Sequence, residues 1–419
     1  MRFKSDFLAE AHWRGLIHQG TDLEGLDALM AGKKITAYIG FDATAKSLHV
    51  GNLIPIMWLR LLQKHGHTPL IVMGDGTTLI GDPSGKDDVR QLLSLETIQE
   101  NIASIQEIFE HYLSLGSNPG QARIIRNSQW LLDLKYVDFL RDYGRHFSVN
   151  RMLTFDSVKL RLDREQNLSF LEFNYMIFQA YDFLVLNRQN DCVLQLGGSD
   201  QWGNIVNGVD LIRRCDGKDS YGLTNPLIAT ASGAKMGKTA QGAVWLRGDH
   251  LSPYDYWQFW RNTDDKDVGR FLRLFTDLSQ EEIQRLEALQ GAEINEAKKV
   301  LADEATRLCH GAEALAEARS TAEKIFESNQ IQDASALPQM AVTQAELAPG
   351  MAVVDILTTL GFAESKGDAR RMIRGGGARL NDQVITNEAG VISMADFKGA
   401  DTLKISAGKK RHGLLTLRD

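Results

Sequence analysis

The sequence predicts an α/β fold: a doubly wound parallel sheet, then a helical segment, then a small α+β module. Three observations point there. Short apolar runs alternate with helical periodicity over the first 220 or so residues. From Pro253 to about Phe326 only helical periodicity remains, with acidic and aliphatic residues interleaved. After a polar stretch, short strand signals return in a basic tail. At 419 residues the chain is too long for one ordinary core, so two or three domains are expected.

"ITAYIGF" (35–41) reads as a buried strand. A polar loop leads to "NLIPIMWLRLLQKHG" (52–66), which has helical periodicity and a glycine stop. "TPLIVMGD" (68–75) is the next strand, so the unit is a right-handed parallel crossover. Helices follow around 95–113 and 136–143, and "ARIIRNS" (122–128) and "DCVLQLGGSD" (191–200) are two more strands. The stretch 327–350, polar and with two prolines, reads as a linker. In the tail, helices are expected at 351–360 and from Ser365, with strands around "ARLNDQVIT" and "DTLKISAGKKRHGLLTL".

Net charge is −7, but it is unevenly spread: after Met351 eleven Lys/Arg face eight Asp/Glu, leaving the tail near +3 and the body near −10. The three cysteines, Cys192, Cys215 and Cys309, are far apart and lack metal-ligand spacing, so packed thiols are expected and no metal site. No apolar run approaches the roughly 18 residues of a membrane helix, and the mixed-charge start lacks a secretory signal, so a cytoplasmic protein is expected.

Two phosphate fingerprints fail. G-x-G-x-x-G breaks at Leu79 after Gly74 and Gly76, and a P-loop breaks at Ile80 before Gly85-Lys86. Four other stretches carry chemistry. His49-Val50-Gly51-Asn52 opens the first crossover helix, where backbone N–H groups and the helix dipole attract phosphate and glycine permits close approach. On its own it is a weak signal, and an ordinary turn is the favoured reading. "GAKMGKTAQG" (233–242) sets Lys235 and Lys238 around a glycine, fit to close on a polyphosphate, though short lysine-bearing loops are commonly just solvated. "LGGSDQWGN" (196–204) falls at a strand's carboxyl end, where open α/β sheets bind ligands. Tyr175, Gln179 and Asp182 share one helix face; buried, they need polar partners, and the alternative is a face turned to solvent.

Together these motifs resemble the bacterial-type tyrosyl-tRNA synthetases, a class I aminoacyl-tRNA synthetase family. His49–Asn52 is similar to the H-I-G-H signature and Lys235–Thr239 to K-M-S-K-S. "YIGFDAT", "LIGDPSGK", "YMIFQAYDF" and "GGSDQWGN" resemble the tyrosine-specific members in order and spacing, and "SKGDARRMIRGGGARLNDQVI" resembles a small RNA-binding module. Asn52 departs from the second histidine of the signature, Gly237 and Thr239 from its serines, and Ala43 stands where proline is expected.

The resemblance implies a Rossmann-like catalytic domain over 1–222, a lysine loop and α-helical tRNA-anticodon-side domain over 223–326, a linker over 327–350 and a small RNA-binding domain over 351–419. It implies formation of tyrosyl-adenylate from L-tyrosine and ATP, then transfer to the terminal ribose of tRNA(Tyr). Tyr38 and Asp182 would meet the phenol. Asp82, Tyr175 and Gln179 would hold the ammonium, with Gln201 near the carboxylate. Asp42 and Asp200 would serve the ammonium side or ribose, while Gly51 and Gly198 would let ATP approach. His49, Asn52, Thr44, Lys86, Arg90, Lys235, Lys238 and Thr239 would surround the phosphates, with Mg2+ on the pyrophosphate rather than in a protein site. Arg370, Arg371, Arg374, Lys409, Lys410 and Arg411 would contact tRNA, and a homodimer is implied. Such chemistry needs no general base, because the substrate carboxylate is already a nucleophile; fixed cations and donors offset charge gathering on phosphate. Three other readings compete: a tryptophan–tRNA ligase, a nucleotidylyltransferase with the same helix start, and an RNA-binding protein with an inactive synthetase body. The Tyr38/Asp182 pair and the tail favour the tyrosine enzyme.

Overall fold

The computed structural model describes residues 2–81, 93–231, 233, 236–239, 242–326, 337–381, 383–397, 400–408 and 411–418. The chain divides into two compact units: one of residues 1–251 and 260–309, the other of 252–259 and 310–419.

The first unit is built on a six-stranded sheet: β1 (Gln19–Gly20), β2 (Thr36–Phe41), β3 (Thr68–Met73), β4 (Arg123–Arg126), β5 (Cys192–Gly198) and β6 (Tyr221–Asn225). Their order is β1-β6-β5-β2-β3-β4. All neighbours are parallel except β1, which runs antiparallel on the edge of β6. The chain starts the parallel part at β2, adds β3 and β4 on one side, then β5 and β6 on the other. The switch point therefore lies between β2 and β5, and ligands are expected outside the carboxyl ends of those strands. This is the doubly wound α/β fold read from the sequence.

The helix Leu53–Lys64 follows β2 through a 3-10 turn at Val50–Asn52 and buries Leu53, Ile56, Trp58, Leu59 and Leu62 on the unit's core. The helix Phe170–Asn190 starts at a capping box: Ser169 Oγ accepts from Glu172 N–H while Glu172 Oε2 accepts from Ser169 N–H. It stops at Asp191, whose φ is 48. Its inner face joins Tyr38, Leu70, Val72, Cys192 and Leu211 in one core through Ala180, Phe183 and Leu184. Three helices beyond the sheet, Asp265–Phe275, Gln280–Glu287 and the first part of Ile294–Phe326, supply the expected strand-free segment.

Two sequence boundaries shift. β6 crosses the limit drawn at residue 222, because its Leu223–Asn225 half still pairs with β5. The stretch read as linker contains a strand, Gln339–Thr343, which pairs in parallel with Arg411–Arg418; a partner some 70 residues away leaves no local periodic trace. Residues 327–336 lie outside the described part. In the second unit that strand completes a five-stranded sheet with Ala378–Leu380, Gln383–Val384, Thr402–Ala407 and Arg411–Arg418. The helices Val353–Thr359 and Lys366–Arg374 close its own core of Val342, Ile356, Leu357, Ile373, Leu403, Ile405 and Leu415.

Candidate active site

The carboxyl ends of β2, β3, β4 and β5 bring together residues from five separate stretches. At the deep end, Tyr38 lies within β2, buried against Phe183 with ring centroids 5.3 Å apart. Its hydroxyl has no hydrogen-bond partner among the described residues. Burial, then the nearby Asp182 charge, raises its pKa well above the usual phenol range. Asp182 is 4% exposed and accepts from Asn127 Nδ2 at 3.0 Å and Trp130 Nε1 at 2.6 Å. Burial pushes its carboxyl up to about 7, against the pull of those two donors. The result is a buried floor holding one phenol and one carboxyl group.

Along the wall, Tyr175 Oη donates to Asp42, 3.3 Å from each carboxylate oxygen, and Thr77 Oγ1 donates to Asp42 Oδ1 at 3.1 Å. Asn204 Nδ2 donates to Oε1 of Gln179 at 2.9 Å and Oε1 of Gln201 at 3.1 Å. Gln201 Nε2 lies 3.4 Å from Asp200 Oδ2. The helix face of Tyr175, Gln179 and Asp182 thus turns inward, towards the pocket. At Gly198 a Cβ would stand 2.4 Å from Asp200 Oδ1, so the missing side chain lets that carboxylate fold back over the strand end.

The mouth is a tight turn capped by its own side chains. Gly51 N–H donates to His49 Nδ1 at 3.0 Å, and His49 N–H donates to Asn52 Oδ1 at 3.1 Å. With Nδ1 accepting, the neutral ring carries its proton on Nε2 and can donate there. Asn52 acts first as an acceptor that caps the turn.

The segment bearing the lysine loop packs on this turn: Val50 N–H donates to Val244 O at 2.9 Å, and Val244 N–H to Gly237 O at 3.1 Å. Gly237 has φ 91, and a Cβ there would stand 2.9 Å from Gly51 N. A Cβ on Gly51 would meet Met236 O at 3.0 Å. Gly237, a departure from the signature's serine, is therefore required by the close approach of the two segments. Ala43 has a similar reason: its N–H donates to Thr78 Oγ1 at 3.1 Å, a bond proline could not make.

Lys238–Thr239 pairs with Gly242–Ala243 as a two-residue hairpin, with both side chains outside the described part. Asp82, Lys86, Arg90, Lys235, Lys409 and Lys410 also lie outside the described residues. Thr44 is exposed just beyond β2.

In the second unit Arg370, Arg371 and Arg374 are exposed on one helix, Arg371 3.4 Å from Asp368 and Arg374 3.0 Å from Glu388. Arg411 instead donates to Phe362 O at 2.7 Å and covers the Phe362 ring.

Sequence reading misses Asn127, Trp130, Thr77 and Asn204. "RNSQW" at the end of β4 has the same texture as "GGSDQWGN" at the end of β5: a strand end followed by amides and a tryptophan. That texture is the signal that could have found them. A small cleft lies elsewhere, at the far end of the helix Leu53–Lys64, among Glu10, Arg14, Arg60, Lys64 and Asp277. Its charges are paired with one another, as Glu10 serves both Arg14 and Lys64 and Asp277 serves Arg60.

The fold, the helix start at His49 and the glycine-docked lysine loop define a class I aminoacyl-tRNA synthetase core. Residues 30–327 match the family of class I tRNA synthetases (W and Y). Curated tyrosine–tRNA ligases of Zymomonas mobilis and Rhodospirillum rubrum are 59% and 58% identical, each covering 98–99% of both chains. Among solved structures, a C-terminally truncated mitochondrial tyrosyl-tRNA synthetase of Aspergillus nidulans is 28% identical with a TM-score of 0.68, over 76% of this chain and 94% of that one. The chain belongs to the class I tRNA synthetase family, and within it to the bacterial-type tyrosyl-tRNA synthetases.

Proposed function

We infer that this protein is a tyrosine–tRNA ligase, joining L-tyrosine to ATP and passing the tyrosyl group to tRNA(Tyr). The observation that carries the reading is the pocket floor: the Tyr38 hydroxyl beside an Asp182 carboxyl that Asn127 and Trp130 hold in place. A phenol satisfies that floor and phenylalanine leaves it unmatched, which is a heavy penalty in a buried site; tyrosyl-tRNA synthetases are themselves the standing example of this asymmetry.

Tyr175, Asp42 and Gln179 are assigned to the ammonium, supported by the inward turn of their shared wall, and the family resemblance assigns Asp82 the same role. Gln201 serves the carboxylate, and Asp200 and Gly198 the ribose and adenosine. ATP arrives with its magnesium ion as part of the substrate. Among the described residues no cluster of three or more His, Cys, Asp or Glu forms a metal site. His49 Nε2, the amide of Asn52, Thr44, Gly51 and the cations Lys86, Arg90, Lys235 and Lys238, with Thr239, stabilise the charge moving onto pyrophosphate. The tyrosine carboxylate attacks the α-phosphorus, and the electron pair leaves with pyrophosphate; alignment of the two substrates removes much of the barrier.

ATP–pyrophosphate exchange tests this reading. Exchange with tyrosine and not with tryptophan is expected, and the reverse would overturn it. Arg370, Arg371 and Arg374 form the tRNA-facing set, with Lys409 and Lys410. Replacing the three arginines by alanine should weaken tRNA charging and flatten its salt dependence by about 0.7–0.9 in log–log slope per lost phosphate contact, with exchange unchanged. Arg411 contributes mainly by bracing Phe362.

A homodimer accounts for the apolar side chains exposed between 132 and 170: Leu132, Tyr136, Val137, Val149 and Phe170 are each more than half exposed. Val137→Asp should shift the sedimenting species to a monomer. No helix among the described residues is long and apolar enough to cross a membrane, and the cytoplasm, where tRNA is charged, is the proposed location.

A further inference from the structure

We propose that Asn204 is a positioning residue for tyrosine activation, setting the direction of the Gln179 and Gln201 side chains at once. This rests on the roles given above to those two glutamines. Asn204 lies in the first turn of the helix Trp202–Asp216 and is 4% exposed, so water hardly competes for its amide. Its Nδ2 donates to Gln179 Oε1 at 2.9 Å and to Gln201 Oε1 at 3.1 Å. An NH₂ group has two hydrogens in one plane and can serve these two acceptors together. The acceptors come from different elements, one from the helix Phe170–Asn190 and one from the turn after β5. A single buried amide therefore ties two walls of the pocket.

A glutamine side chain accepts at one end and donates at the other, so its direction decides which charge it can meet. With its oxygen turned to Asn204, Gln201 presents Nε2 to anions: that nitrogen lies 3.4 Å from Asp200 Oδ2, and the substrate carboxylate would be met by the same end. The Gln179 oxygen keeps a second lone pair, which an ammonium can use. If Gln201 were reversed it would set an oxygen against the carboxylate. Asn204 thus lets the pocket read the substrate's two charges with the correct polarity without touching the substrate itself.

Asn204→Asp preserves shape but exchanges the donor for an acceptor, so both glutamines turn their Nε2 towards it. Binding of L-tyrosine is compared with that of tyramine, which keeps the ring and ammonium but has no carboxylate. Both dissociation constants should rise, because the reversed Gln179 no longer accepts from the ammonium, but that of L-tyrosine, which also loses Gln201, should rise about tenfold more than that of tyramine, with the KM for ATP unchanged. Equal losses for both ligands would show a merely structural role and overturn the proposal, as would an unchanged L-tyrosine affinity.

A buried carboxylate can prevent folding, so Asn204→Ala is the second variant. It should move the tyrosine-to-tyramine ratio in the same direction by less, and an unchanged ratio in the folded variant would overturn the proposal. Gln201→Ala separates the two layers of the argument. If it leaves the ratio unchanged, the role given to Gln201 fails and the proposal with it. If it raises the ratio of the two dissociation constants while Asn204→Asp does not, the positioning role alone fails. In the Gln201→Ala background, Asn204→Asp should add nothing further to the ratio.

Discussion

The two ends of the pocket are made of different material. The deep end is made of side chains: Tyr38, Asp182, Asn127 and Trp130 are assembled from β2, a long helix and the end of β4, and Asp182 is 4% exposed. The mouth is a tight turn: the side chains of His49 and Asn52 cap it, and Gly51 and Gly237 approach so closely that neither tolerates a Cβ without movement. The difference matches the tasks proposed for the two ends. Recognition of a phenol needs a particular chemical group in a dry place, where an unmatched partner is costly. Stabilising phosphate charge needs donors close to a ligand that arrives and leaves, which glycines and a helix start provide.

The largest test of that contrast is Asp182→Ala. It should lower discrimination of tyrosine from phenylalanine by roughly a hundredfold or more and leave the KM for ATP unchanged, as read by pyrophosphate exchange with each amino acid. The opposite signature is expected at the mouth. Gly237→Ala combines a positive φ with a contact 2.9 Å from Gly51 N, at a conformational cost of about 1–2 kcal/mol before any clash. The exchange rate should fall about tenfold or more, while the tyrosine dissociation constant stays put. If it weakens tyrosine binding equally, the two ends are not separable.

A third test uses pH. In the proposed phenol contact the Asp182 carboxyl, raised by burial to about 7, is the stronger acceptor when ionised. The tyrosine dissociation constant should therefore rise as pH falls below about 7, approaching tenfold per unit, and Trp130→Phe should move that break upward by removing a bond that favours the charged form. A flat profile from pH 6 to 8 would show that the neutral acid serves instead.

The sign for stability is opposite. The folded-state value lies above the ordinary 3.8, so this group's stabilising contribution is full below that value and lost as pH rises through about 7. The ligand-free protein should lose part of its urea resistance over that interval.

The smallest effect belongs to Asn52→Ala. It removes one cap on a three-residue turn, worth about 1 kcal/mol, and should lower the exchange rate only about fivefold, as measured at saturating tyrosine.

Much of this molecule is legible in its residues alone. The strands β2, β3 and β5 and the helix Leu53–Lys64 fall within one or two residues of their predicted limits, because a buried parallel sheet writes itself as apolar runs bounded by turn residues. The two-residue β1 and the strand Gln339–Thr343 are not legible. The first is too short for a period, and the second sits in a polar stretch that is a strand only because Arg411–Arg418 pairs with it. At the site, the motif residues can be named from type and spacing, whereas their supports cannot. Asn127 and Asp182 are 55 positions apart, and nothing local to either announces the other.

By itself, the sequence determined the α/β class, the helix start at His49, the glycine at 237 and the shared polar face of Tyr175, Gln179 and Asp182. Those are properties of residue type and short-range period, which act over one turn or one strand. Only the tertiary structure decided that this face turns inward, that Trp130 and Asn127 hold Asp182, that Asn204 joins Gln179 to Gln201, and that Gly237 exists for Gly51. Each is a contact between elements distant in the chain, and such contacts form only when the strands have been ordered side by side.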